Sequence, residues 1–115
     1  MDVVVTCPKG FWAEWIAEGD LPDEVPTGRE YRFTVWGARP VIEAGERVYV
    51  VAHGRLRGYA PLVRVESYSG REHDLIRGSG AVAVTITEPI IGFRGWRYRS
   101  WSKDDELASP EWRTP

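Results

Sequence analysis

A chain of 115 residues, with 43% hydrophobic and 28% charged side chains, is the size of one domain and apolar enough to bury a core, which argues against disorder over most of its length. Its net charge of −2 argues against a general nucleic-acid coat protein, and no apolar run approaches the roughly 20 residues of a membrane-spanning helix. The single cysteine, Cys7, excludes an intrachain disulfide.

In chain order, Asp2 to Thr6 is rich in β-branched residues and predicts a short buried strand. Pro8 suits the first turn of a helix, and from Lys9 to Glu18 the residues Phe11, Trp12, Trp15 and Ile16 fall on one helical face, with Glu14 and Glu18 opposite. Gly19 is placed to end that helix, and residues 19–30 read as a polar loop punctuated by Pro22, Pro26 and Gly28. Tyr31 to Trp36 alternates as a second strand, with Tyr31, Phe33 and Val35 on one face and Arg32, Thr34 and Trp36 on the other.

A loop then leads to a third strand, Arg47 to Ala52. His53-Gly54 predicts a tight hairpin turn in which glycine supplies positive φ. A long fourth strand follows from Arg55 to Tyr68, and Gly58 and Pro61 predict a bulge or sharp bend within it. Residues 70–80 read as loop or as a second, short helix around Glu72 to Ile76. Ala81 to Thr87 is a fifth strand, Pro89 breaks it, and Ile91 to Arg99 is a sixth. The expected architecture is α+β, mainly β, with five to six short strands in a strongly bent sheet or partly open barrel. One domain is expected over residues 1–101, followed by an acidic surface tail over 102–115 in which Trp112 is a candidate anchor.

Charge is unevenly spread. Residues 47–99 hold nine arginines against four acids, whereas residues 1–46 hold four basic and nine acidic side chains. Arginine forks onto phosphate and stacks on flat rings. The stretch GFRGWRYRSW, residues 92–101, sets Phe93, Trp96, Tyr98 and Trp101 among Arg94, Arg97 and Arg99. On a strand, Arg94, Trp96 and Tyr98 share one face, and Phe93, Arg97, Arg99 and Trp101 the other. Two readings follow: a base-stacking, phosphate-pairing surface, or a core strand with arginines reaching water. Arg97 and Trp101 are the ligand-binding candidates of this stretch. Arg55 and Arg57 form a candidate phosphate or carboxylate hook after the hairpin turn, and Trp36 is a candidate wall of an aromatic pocket.

Gly45-Glu46-Arg47-Val48-Tyr49-Val50, followed by Gly54 and Gly58, together with an opening strand and helix and a late strand, resembles the PUA-like superfamily, which includes the ASCH, EVE and YTH branches. The resemblance implies a pseudo-barrel with a cleft beside the first helix that binds RNA, modified bases or nucleotides, and it adds Lys9, at the helix start, to the ligand-binding candidates. It also implies the alternative of a small amidohydrolase acting on a modified nucleoside, with Lys9 and Glu66 or Glu88 in the cleft. The G-x-K-x-x-E-x-R motif of ASCH proteins is absent: the nearest segment, Pro8 to Trp15, has a different Lys-to-acid spacing and no arginine. A protein-interaction module with an acidic partner is the third reading.

No catalytic residue is assigned. One Cys and two His make no zinc set of usual spacing, and neither a nucleophile elbow nor a phosphate-binding G-x-x-x-x-G-K loop occurs. The expected partners are RNA, DNA or a nucleotide, with no cofactor, no metal and no membrane. The start lacks a basic region followed by a long apolar segment, so a cytoplasmic setting is expected.

Overall fold

The computed structural model describes residues 1–7, 30–78 and 80–111. The helix expected over Lys9 to Glu18, with Trp12 and Trp15, lies outside the described residues, as does Trp112. The described residues form eight strands: β1 (Val3–Thr6), β2 (Glu30–Trp36), β3 (Arg47–Ala52), β4 (Arg55–Ser67), β5 (Glu72–Gly78), β6 (Val84–Thr85), β7 (Trp96–Tyr98) and β8 (Leu107–Ala108). Six of them form one curled sheet in the order β2-β5-β4-β3-β1-β7, a half-barrel, and β6 pairs with β8 apart from it. Among the described residues no helix is long and apolar enough to cross a membrane.

The curl is built into β4. Its first half, through Pro61, pairs with β3, and its second half, from Leu62, pairs with β5. The strand therefore turns a corner between two partners, where the sequence places Gly58 and Pro61. Two register shifts mark the turn: Arg57 is the extra residue opposite Val50 and Val51, and Val63 the extra residue opposite Ile76 and Arg77. Such insertions bend a strand and increase its twist. The preceding β3–β4 hairpin closes through His53 (φ 51°) and Gly54 (φ 73°), a pair of positive angles that matches the right-handed twist of flanking strands.

Folding the β1–β3–β7 half over the β2–β5 half encloses one core. Val3, Val5, Val48 and Val50 from one side meet Phe33, Val35, Leu62 and Leu75 from the other, and Trp96 and Tyr98 pack against them. A second apolar cluster forms on the outer face, where Val4, Tyr49, Val51 and Leu56 are covered by Ile86, Ile90, Phe93 and Trp101. The open side of the half-barrel is crossed by side chains: Trp96 Nε1 donates to the Ala38 carbonyl (2.8 Å), and the Val41 amide donates to Tyr98 Oη (3.1 Å).

Three expectations are corrected. Glu72 to Ile76 is no helix but part of β5, the central strand between β2 and β4. Its charged residues suggest a loop, yet the buried ones are partnered: Asp74 accepts from Thr34, Arg32 and Tyr68, and Arg77 lies 4.1 Å from the centre of the Tyr31 ring. The expected strand Ala81 to Thr87 contracts to Val84–Thr85 with one bridge from Val82 to Tyr59, and Ile91 to Arg99 contracts to Trp96–Tyr98 after Gly95 at φ 74°.

Candidate nucleic-acid interface

The strand alternation in GFRGWRYRSW serves two cores at once. Trp96 and Tyr98 enter the inner cluster, meeting edge to face at 4.7 Å, while Phe93 and Trp101 cover the outer one. Trp101 is half-buried: its ring meets Tyr49 edge-on at 5.2 Å, and its Nε1 donates to Glu106 (2.9 Å). Arg97 stacks over Phe93, its guanidinium carbon 4.2 Å from the ring centre. The aromatic half of the stretch is thus mostly structural, and its arginines decide what remains available.

Four arginines of the described residues are ion-paired. Arg32 pairs with Glu66 (2.7 Å) and Asp74 (3.2 Å), and Arg64 with Glu30 (2.7 Å) and Glu66 (3.0 Å). Arg47 pairs with Glu106 (2.9 Å) and Arg99 with Asp2 (3.2 Å). These pairs fix the carboxylates: Arg32 first, then Arg64 and Tyr68, hold the Glu66 carboxyl down to about 2. For Asp2, burial alone would raise the value, but the Arg47 amide, Arg99 and Lys103 outweigh it and keep the group below the usual carboxylate range. Arg55, Arg94 and Arg97, like Arg39 and Arg71, are exposed and make no ion pair among the described residues.

Each of those three arginines lines its own cleft, and the clefts adjoin along residues 85–95. The first, about 620 Å3, lies at the open side of the half-barrel between Val5, Thr6, Phe33 and Trp36 on one flank and Phe93, Arg94 and Gly95 on the other. Trp36 is 63% exposed at its mouth. The second, about 430 Å3, shares Phe93 and adds Ile86, Ile90, Arg97 and Trp101, with Glu88 and Asp105 on its rim. The third, about 300 Å3, sits at the hairpin tip with His53, Arg55, Arg57, Thr85 and Ser109, and Glu111 borders it. The Phe93 amide donates to Thr6 Oγ1 (3.0 Å) and the Ile90 amide to the Gly54 carbonyl (2.8 Å), tying the connecting segment to β1 and to the hairpin.

The predicted site residues thus divide. Arg55 and Arg57 share the hairpin cleft, although Arg57, at the bulge, is buried and its Nε donates to the Ala52 carbonyl (2.9 Å). Burial first, and then the neighbouring Arg55 charge, push the Arg57 guanidinium below its ordinary pKa. Arg97 and Trp101 share the middle cleft. Trp36 stands in the open-side cleft, apart from Trp101, so the two indoles do not form one pocket. Lys9 lies outside the described residues. Sequence reasoning passed over Arg94, whose signal was its place after the strand-breaking Pro89 and before Gly95, in a turn rather than on a paired strand.

The same geometry bears on hydrolysis. Glu66 is bonded to Arg32, Arg64 and Tyr68, so its lone pairs are engaged and it is a poor base. Among the described residues no group of three His, Cys, Asp or Glu side chains is placed to hold a metal ion. Comparison with protein-family models, with curated proteins and with solved structures gives no match.

Proposed function

We propose that this chain is a PUA-like module that binds single-stranded nucleic acid, or a nucleotide, along the three adjoining clefts. The observation that carries the reading is the placement of three exposed arginines, Arg55, Arg94 and Arg97, one in each cleft and none ion-paired among the described residues. In this reading Trp36 offers its exposed face to a base, worth roughly 1–3 kcal/mol per stacked base. Arg94 and Arg97 flank it as phosphate contacts, and Arg55 extends the track to the hairpin tip. The aromatic lining of the open-side cleft, Phe33, Trp36 and Phe93, suits a flat heterocycle, a modified base as well as an ordinary one.

Titration of intrinsic tryptophan fluorescence with short single-stranded RNA and DNA, and with mononucleotides, tests this. Binding is expected to quench fluorescence, and Trp36→Ala is expected to weaken it about tenfold or more while the protein stays folded. Unchanged affinity in a folded Trp36→Ala, Arg94→Ala double variant would refute the assignment of the open-side cleft.

A further inference from the structure

At the far end of the β4–β5 hairpin, Ser67 and His73 are register partners. Ser67 Oγ lies 2.7 Å from His73 Nδ1, and His73 Nε2 lies 3.0 Å from the Gly37 carbonyl oxygen. A carbonyl only accepts, so Nε2 carries a hydrogen, and when the ring is neutral Nδ1 is the bare nitrogen that accepts the serine proton. The ring is locked in this tautomer: it is 1% exposed, and the carbonyl that orients it is fixed by the Gly37 amide, which donates to the Arg71 carbonyl (2.8 Å). Ser67, in contrast, is exposed. Arg39 Nη1 donates to Ser67 Oγ from 3.3 Å, placing a cation that favours release of the serine proton. Nucleophile, base and orienting group, the last here a backbone carbonyl rather than a carboxylate, meet the geometric signature of an activated serine.

We propose that Ser67 is a base-activated nucleophile that takes an acyl group from an activated ester, independently of the nucleic-acid reading. The Ser67 proton passes to His73 Nδ1 as Oγ attacks the carbonyl carbon. The bond to the leaving oxygen then breaks and the alkoxide or phenolate departs with the electron pair; a basic alkoxide takes the proton from His73, and where a weakly basic phenolate leaves, His73 gives that proton to solvent before deacylation. Water releases the acyl group by the reverse proton path, giving a carboxylic acid and restoring the Ser67 hydroxyl. No oxidant, reductant or metal enters the balance.

The test uses the whole chain and p-nitrophenyl acetate, with nitrophenolate release followed by absorbance and the acetylated residue located by peptide mass spectrometry. The expected result is one acetyl group on Ser67, none at that peptide in Ser67→Ala, and about a hundredfold slower acylation in His73→Gln. Should His73→Gln fail to fold, Ser67→Cys keeps the base, and its thiol is expected to be alkylated by iodoacetamide at least about tenfold faster than a cysteine introduced at an exposed position away from His73, such as Ser100→Cys. Absence of the adduct, acetylation of other residues only, equal rates with and without His73 in folded proteins, or an ordinary rate for the introduced thiol would each overturn the proposal.

Discussion

Three donors converge on the carboxylate of Glu106: Arg47 Nη1 on one oxygen, and Tyr49 Oη (2.5 Å) and Trp101 Nε1 (2.9 Å) on the other. The side chain is 7% exposed. Burial first, then this carboxylate, push the Tyr49 hydroxyl above its ordinary pKa, so it stays a donor. Glu106→Ala would strand a guanidinium and a buried hydroxyl, and an equilibrium urea unfolding experiment is expected to show a loss of about 3 kcal/mol. Glu66 makes a prediction of the opposite kind, because it is exposed but charge-paired. Its folded value of about 2 lies below the 4.5 of the unfolded chain, so its stabilising effect is full above pH 4.5 and lost as pH falls toward 2. Thermal melts across that window are expected to show a falling Tm in the parent and a shallower fall in Glu66→Gln, in which the group no longer titrates.

At the scale of elements, the β3–β4 hairpin and the corner in β4 do the most to shape the molecule. Gly54 has open space around a built side chain, so only its φ of 73° resists substitution, and Gly54→Ala is expected to cost about 1–2 kcal/mol in the same unfolding experiment. These features were legible in the sequence: β3 runs from Arg47 to Ala52 as its apolar run does, the alternation of β2 matches its buried Phe33 and Val35, and Gly58 and Pro61 flag the bend. The strand β5 was not legible, for a physical reason. Periodicity reports which residues dislike water, and Glu72-His73-Asp74 carries that signal only if neighbours neutralise it. Of those neighbours, Ser67 lies across the β4–β5 hairpin, but Thr34, Arg32 and the Gly37 carbonyl come from β2 and the loop after it, distant in sequence. The expected ladder of Ile91 to Arg99 shortened for a related reason: its apolar residues cover a sheet face without extending the sheet.

For the whole molecule, the sequence located the basic section but could not rank its arginines. That ranking depends on which carboxylates the curled sheet brings within reach: Glu30 and Glu66 to Arg64, Asp2 to Arg99, Glu106 to Arg47. Once those pairs form, Arg55, Arg94 and Arg97 are left exposed, one in each of the three clefts and without an ion pair among the described residues. The account is therefore tested most directly by the salt dependence of binding. Fluorescence anisotropy of a labelled single-stranded oligonucleotide, measured at several salt concentrations, is expected to give a log–log slope of about −2 for three phosphate contacts, with each of Arg55→Ala, Arg94→Ala and Arg97→Ala reducing its magnitude by about 0.7. A slope near zero, or a slope unchanged when all three arginines are replaced in a folded protein, would contradict it.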